Sequence, residues 1–269
     1  MGELIKELLD AHPEIPWEQY DNDGPDGVPN SDDDDGYVDF VAFVQPGFGG
    51  ECNDGNSHIW SHRYNLVDLG LGEYETKRPS KKGGFVKIVD YTIQPARACD
   101  ATSVNQIGVF AHEFGHAFGL PDLYDTTNRS GGIGNWCLMA GGSWGGDGKS
   151  PEQPVQMSPW AKEVLGWVDP IEITSDGVIS VTSYEEPPSL GVDTRVYKHS
   201  ISNNLYYLIN NVRPKLSDAK LPGFGIQLWL INKTGEFRLL SGCKDLREGA
   251  RRAASRRNAQ ANACGSKEV

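Results

Sequence analysis

The sequence contains no apolar run approaching the roughly 20 residues that a membrane-spanning helix needs. Its start also lacks a signal-peptide pattern, because residues 1–11 carry charges throughout and include no continuous apolar segment. These residues instead predict a short amphipathic helix with Leu4, Ile5, Leu8 and Leu9 on one face. Basic residues are scarce relative to acidic ones, and the net charge is −12. This charge disfavours nucleic acid and anionic membranes as partners.

Cysteine is also sparse, and the spacing of the five residues forms no CxxC zinc module. An odd number of cysteines cannot all pair within one chain. We expect one or two disulfides in a secreted, extracellular protein, whose precursor would be longer than this chain. The alternative is a cytosolic protein with unpaired, buried thiols. The five residues are Cys52, Cys99, Cys137, Cys243 and Cys264.

Glycine and proline are abundant, with 32 and 16 residues, and this indicates many loops. The 38% of hydrophobic residues still suffices for a sizeable globular core. Apolar runs predict a buried strand at 37–44, another strand at 85–91, and a mostly buried helix at 104–120. A short helix is predicted at 159–165. Further short β-type runs lie at 177–182, 194–197, 205–210 and 225–231.

The predicted helix at 104–120 carries the pattern HExxH, as His112-Glu113-Phe114-Gly115-His116. Histidines four residues apart project from the same helix face, so both imidazoles can reach one ion at about 2.0–2.1 Å. Glu113 lies beside the first histidine and can reach a water at the metal without itself binding the metal. There the carboxylate can take a proton and later deliver it to a leaving amine. The pattern therefore favours zinc-dependent hydrolysis.

The end of this helix and the residues that follow it complete a set of metal ligands. Gly119 permits a sharp turn, because glycine adopts positive φ without steric cost, and Asp122 follows six residues after His116. A carboxylate oxygen is an acceptable zinc ligand at about 2.0–2.2 Å, and three protein ligands leave a fourth position for water. The weaker interpretation is a buried helix whose histidines only satisfy hydrogen bonds.

The stretch from His112 to Asp125 resembles the zinc signature of the immune inhibitor A family of bacterial secreted metallopeptidases. The resemblance runs from about Asp21 to Ile231. It includes further matching segments at 21–39, 59–63, 134–140 and 158–167. Two later segments depart from the family. Asn210 stands where the family usually has Glu, and the segment ending in Leu230 and Asn232 replaces a family Trp-His-Ile-Asp ending.

The resemblance implies a zinc endopeptidase with protein or peptide substrates. By this resemblance His112, His116 and Asp122 bind the zinc, Glu113 is the catalytic base, and Met139 lies in a Met-turn beneath the metal. We therefore predict an α+β fold with a metzincin-like catalytic domain at 1–170. A small β-rich region, truncated or divergent, is predicted at 171–232, and a weakly ordered basic tail at 233–269.

An acidic, glycine-bearing loop precedes the first predicted strand. Clustered carboxylates supply the hard oxygen ligands that calcium prefers. The loop is not an EF-hand, because the sixth position counted from Asp21 is an aspartate and the twelfth is not Glu. The alternative is a solvated acidic loop. The candidate calcium ligands are Asp21, Asp23, Asp26, Asp32, Asp34 and Asp39, with Asp33 and Asp35 in the same cluster.

Other chemically interesting side chains give weaker signals. His58 and His62 also stand four residues apart, but no local helix pattern supports a second zinc site, and a role in the core or a cleft wall is favoured. Tyr91 and Tyr124 are candidate oxyanion stabilisers that the sequence does not place near the metal.

Three functions remain open from the sequence. Peptide-bond hydrolysis by a zinc enzyme is favoured by the complete His-Glu-His-Asp set. The second is a non-catalytic, metal-bearing adhesion or binding module, suggested by the divergent C-terminal region. The third is a metal-dependent hydrolase that acts on a substrate other than protein.

Overall fold

The computed structural model describes residues 2–52, 58–127, 130–183, 195–233 and 236–241. The chain divides into two compact units, residues 1–105 and 106–269. Helices and sheets occur together, which agrees with the predicted α+β class. Among the described residues, no helix has the length and apolarity needed to cross a bilayer.

Among its described residues, the first unit contains one α-helix, α1 (Gly2–Ala11), and five strands. Three of the strands form a sheet in the order β1-β5-β2, in which β1 pairs parallel with β5 and β2 pairs antiparallel with it. The other two form the antiparallel pair β3-β4. The strands are β1 (Ala42–Phe48), β2 (His62–Asn65), β3 (Tyr74–Pro79), β4 (Phe85–Ile88) and β5 (Asp90–Arg97).

The core of the first unit lies between α1 and these strands. Ile5 and Leu9 contribute the buried face of α1, while Tyr91 and Ile93 contribute alternate side chains of β5. Leu4 and Leu8 of α1 are exposed, so only half of the apolar face predicted for this helix is buried.

The second unit contains helices α2 and α3 and one five-stranded sheet in the order β10-β9-β8-β7-β6. The pairs from β7 to β10 are antiparallel, and β6 pairs parallel with β7. The bounds are α2 (Ile107–Ala117), α3 (Pro159–Val164), β6 (Ile171–Glu172), β7 (Tyr197–Ser202), β8 (Leu205–Val212), β9 (Gly225–Asn232) and β10 (Glu236–Ser241).

The sheet and the segments around the helices share one hydrophobic core. Alternation along β8 directs Tyr206 and Leu208 inward, and β9 adds Trp229 and Ile231. Leu123 and Met139, from the region after α2, pack into the same core. Helix α3 begins where the Ser158 hydroxyl accepts a hydrogen bond from the Ala161 amide, with proline at the first helical position. The predicted domain boundaries at 170 and 232 remain predictions.

Several predicted elements differ from the observed ones. The predicted buried strand at 37–44 is wrong in its bounds, because β1 spans 42–48 and alternate side chains are exposed. The predicted strand at 85–91 is two strands that separate at Val89. Residues 177–182 form no strand. The predicted tail at 233–269 contains β10, and residues 242–269 lie outside the described residues.

The prediction that α2 is mostly buried is wrong for one face. Ile107 and Phe118, at the two ends of the helix, are 58% and 61% exposed. Phe118 instead contacts Trp167 edge to face, with ring centroids 6.2 Å apart.

Cys52 and Cys99 form a disulfide within the first unit, so the expectation of at least one disulfide is confirmed. Cys137 is a buried free thiol in the second unit. Cys243 and Cys264 lie outside the described residues.

Candidate metal centre

Helix α2 presents the two histidines to the following loop because the helix ends abruptly. Gly119 has φ of +86°, a conformation that side-chain-bearing residues rarely adopt. The amides of Gly119 and Leu120 donate hydrogen bonds to the carbonyls of His116 and Gly115, which closes the C-terminal turn. The chain therefore reverses directly after the helix and brings Asp122 back towards the histidines.

Both histidines are oriented by backbone carbonyls. His112 Nδ1 lies 2.9 Å from the carbonyl oxygen of Leu138, and His116 Nδ1 lies 2.7 Å from that of Leu120. A carbonyl oxygen only accepts hydrogen bonds, so each Nδ1 carries the hydrogen. In this tautomer a neutral ring presents the Nε2 lone pair, the form in which histidine binds a metal.

The two Nε2 atoms converge on one carboxylate oxygen. Asp122 Oδ1 lies 3.0 Å from His112 Nε2 and 3.1 Å from His116 Nε2. The donor atoms of all three residues lie within 4.8 Å of one another. With neutral rings, three electron-rich atoms would face each other, an arrangement that a cation between them stabilises. Two imidazole nitrogens and one carboxylate oxygen are a donor set that suits zinc.

The pKa values at this site agree with a cation-binding pocket. Burial acts to raise the pKa of Asp122, but the two histidines hold it well below its usual range, so the carboxylate is ionised. Burial acts to lower the pKa of His116, while Asp122 and the Leu120 carbonyl raise it above its ordinary value overall. A proton and a metal ion thus compete for the same Nε2 position.

Glu113 and Met139 are the other two residues that were predicted for the metal site. Glu113 is buried and follows His112 on α2. Met139 is fully buried, and a Cβ added at Gly115 would lie only 2.3 Å from its Sδ. The methionine therefore packs directly against the helix between the two histidines, and a glycine at 115 leaves room for it.

Tyr124 lies at the same site, which the sequence alone could not establish. Its ring is nearly parallel to that of His112, at 19° with centroids 6.2 Å apart. Burial, with a further contribution from Asp122, raises the pKa of Tyr124 above its ordinary value. Tyr91, the other tyrosine considered, lies in the core of the first unit.

His58 and His62 are engaged elsewhere. The ring centroids of His58 and Phe48 lie 4.2 Å apart. His62 Nδ1 lies 2.7 Å from the Trp60 carbonyl oxygen, and Nε2 lies 3.2 Å from the Tyr91 hydroxyl. Among the described residues, neither histidine belongs to a cluster of metal-ligating side chains.

The acidic loop forms a second cluster, in the first unit. Asp21, Asp23 and Asp34 place carboxylate oxygens within 4.8 Å of one another. The other three candidates lie outside this group. Asp26 accepts a hydrogen bond from the Val28 amide, Asp39 accepts one from the Asn22 amide, and Asp32 is exposed.

The α+β fold and this His-Glu-His-Asp arrangement together are those of a metallopeptidase-type domain. A family model described as the immune inhibitor A peptidase M6 catalytic domain matches residues 2–168. The chain belongs to this family.

Two curated relatives are similar to a large part of the chain. The chain is 35% identical over 175 residues to pre-pro-metalloprotease PrtV of Vibrio cholerae serotype O1, covering 61% of the chain and 18% of the relative. It is 31% identical over 189 residues to immune inhibitor A of Bacillus thuringiensis subsp. alesti, covering 64% of the chain and 26% of the relative. The chain thus spans about a fifth to a quarter of the length of these curated relatives.

Proposed function

We propose that this chain is the catalytic region of a secreted, zinc-dependent endopeptidase with a metzincin-like architecture. The observation that carries the proposal is the convergence of His112 Nε2, His116 Nε2 and Asp122 Oδ1 beside a buried glutamate. Membership of the M6 family and the names of the two relatives support it. The Cys52–Cys99 disulfide supports secretion, because disulfides persist mainly in oxidising compartments.

The mechanism assigns a separate task to each residue. His112, His116 and Asp122 would hold zinc, which supplies Lewis acidity and lowers the pKa of water towards about 7. The Leu138 and Leu120 carbonyls fix the histidine tautomers for this purpose. The Glu113 carboxylate takes a proton from the attacking water and transfers it to the amide nitrogen of the leaving group.

A hydrolysis assay tests this function against the two alternatives. The purified protein is expected to cleave casein or gelatin, to lose this activity after treatment with a chelator, and to regain it when zinc is added. A protein that binds zinc but leaves both substrates intact would instead support the adhesion module. Cleavage of a non-peptide ester with no proteolysis would support the third function.

We further propose a calcium site in the acidic loop, formed by Asp21, Asp23 and Asp34. Asp21 and Asp34 are each only 1% exposed, and Asp21 Oδ2 is buried with no hydrogen-bond partner among the described residues. Burial raises the pKa of Asp21, and the nearby carboxylates raise it further, although a hydrogen bond from the Gly36 amide opposes this. Ionising these side chains together is therefore costly unless a cation binds them.

Calcium is expected to raise the melting temperature even when zinc content is held constant. An ion that binds only the folded state stabilises by about 2.7 kcal/mol at a hundredfold excess over Kd. This corresponds to an upward shift of about 5–10 °C for a domain of this size. The measurement is a thermal melt of the Glu113→Gln protein, which cannot digest itself, with and without calcium at constant ionic strength.

Two variants of the acidic loop test whether the calcium-dependent shift in melting temperature depends on the proposed ligands. Asp34→Asn keeps the shape of the side chain but removes a charge from the cluster, and it should abolish the shift. Asp32→Asn removes an exposed charge from the same run of aspartates and should preserve it. An identical shift in both variants, or no shift in the parent protein, would exclude this calcium site.

A further inference from the structure

We propose that Asp218, in the connection between β8 and β9, is a positioning residue for the zinc site. This inference rests on the proposed function, because it assumes that His112 is a zinc ligand. Asp218 acts through a series of hydrogen bonds that runs from Gln156 to the Leu138 carbonyl and ends at the His112 ring.

The first contact joins Asp218 to the segment before α3. Asp218 is only 5% exposed, and each of its carboxylate oxygens accepts a hydrogen bond from Gln156. Oδ1 accepts from the backbone amide at 3.1 Å, and Oδ2 accepts from the side-chain Nε2 at 3.2 Å. Lys162 Nζ donates to Gln156 Oε1 at 2.6 Å. Gln156 is therefore held through both its backbone and its side chain.

The second contact transmits this constraint to the residues around Leu138. The Leu138 amide donates a hydrogen bond of 3.1 Å to the Gln156 carbonyl. The neighbouring Cys137 sulfur accepts hydrogen bonds from the Ser158 amide at 3.1 Å and from the Met139 amide at 3.4 Å. The two segments are thus joined at two points, so a displacement of Gln156 must move Leu138 or break one of these bonds.

The last contact reaches a proposed metal ligand. The Leu138 carbonyl oxygen lies 2.9 Å from His112 Nδ1. A partner of this kind sets the orientation of a metal-binding imidazole and typically contributes 10- to 100-fold to metal affinity. His116 is oriented instead by the Leu120 carbonyl, within the C-terminal turn of α2. Among the described contacts, the series of hydrogen bonds from Asp218 therefore ends at His112.

The position of Asp218 requires a carboxylate, because both of its oxygens must accept. Burial raises the pKa of Asp218, while the hydrogen bonds from Gln156 and the charge of Lys162 oppose this rise. Asparagine has the same shape, but its Nδ2 is a donor and would face one of the two donors of Gln156. Leaving buried donors unsatisfied is costly, so the substitution should displace Gln156.

The test is the zinc affinity of the purified protein, measured by competition with a chelating indicator at constant pH. Asp218→Asn is expected to weaken zinc binding about tenfold, at the lower end of the effect of groups that contact a ligand directly. Tyr206→Phe is the matched control, because it removes another buried hydrogen bond of the same sheet, which the Tyr206 hydroxyl donates to Glu163 at 2.9 Å. This control should lower the melting temperature and leave zinc affinity unchanged.

A second variant applies if Asp218→Asn does not fold. Gln156→Met has a side chain of similar length but lacks the bonds to Asp218 Oδ2 and Lys162, while the backbone amide can still donate to Oδ1. It should also weaken zinc binding, by a smaller factor. Parental zinc affinity in folded Gln156→Met protein would overturn the inference.

Two ligand backgrounds show whether Asp218 acts through His112. Asp218→Asn should have no further effect on zinc affinity in a His112→Ala background, but it should keep its effect in a His116→Ala background. Parental affinity in Asp218→Asn, or an equal loss in both backgrounds, would overturn the inference, while weaker zinc binding in both histidine variants would still support the zinc site. Failure of the unmodified protein to bind zinc would overturn the proposed function itself.

Discussion

Replacing Glu113 by glutamine is expected to lower kcat for casein hydrolysis by about 10²- to 10⁴-fold, the usual contribution of a positioned general base. Glutamine has nearly the same size and shape, so the buried position next to His112 remains filled. The amide cannot accept the proton that the attacking water must lose. Zinc content should stay at the parental level, because Glu113 is not among the side chains that converge on the proposed metal position. Parallel measurement of turnover and zinc content on the same sample checks both parts.

Glu163→Gln is the matched control for this substitution. Glu163 is another glutamate of the second unit, and its carboxylate binds Lys198 Nζ at 2.7 Å and the Tyr206 hydroxyl at 2.9 Å. Its replacement should reduce stability but not turnover per folded molecule. A Glu113→Gln protein that retained parental turnover would rule out the glutamate as the base, whatever its zinc content.

The candidate metal ligands could be predicted from the sequence because their geometry is local. Spacing of four residues on a helix fixes the relative positions of His112 and His116, and Gly119 indicates the turn that returns Asp122. The groups that orient these side chains could not be predicted from the sequence. The Leu138 carbonyl meets His112 from 26 residues away, and backbone carbonyls have no sequence signature.

The errors in the predicted fold have a common cause. Apolar residues at helical spacing show which side chains could be buried, but not which of them a neighbouring element covers. Ile107 and Phe118 were therefore predicted in the core and are exposed. The bounds of the strand predicted at 37–44 were wrong for a similar reason. An apolar run indicates β-type composition, but it does not show at which residue the pairing with a neighbouring strand begins.

The acidic loop shows the same limit for a candidate ion site. Its composition showed that carboxylates are concentrated there, but it did not show which of them would bind an ion. The choice depends on tertiary hydrogen bonds: Asp34 accepts from the Gly24 and Ser31 amides, and Asp21 accepts from the Gly36 amide. These bonds direct the two side chains inward, whereas Asp32, in the same run, remains exposed.

Asp122→Ala is expected to weaken zinc binding by more than about 100-fold, beyond the 10- to 100-fold typical of residues that only orient a ligand. The substitution removes the oxygen that lies about 3 Å from both Nε2 atoms and leaves a two-nitrogen site. Asp125→Ala is the matched control three residues later. The Asp125 carboxylate accepts hydrogen bonds from the Thr127 and Ser130 amides within its own turn, so zinc affinity should stay near the parental value. Metal analysis after dialysis, together with competition titration, ranks the two variants. A larger zinc loss in Asp125→Ala than in Asp122→Ala would show that the third ligand is misassigned.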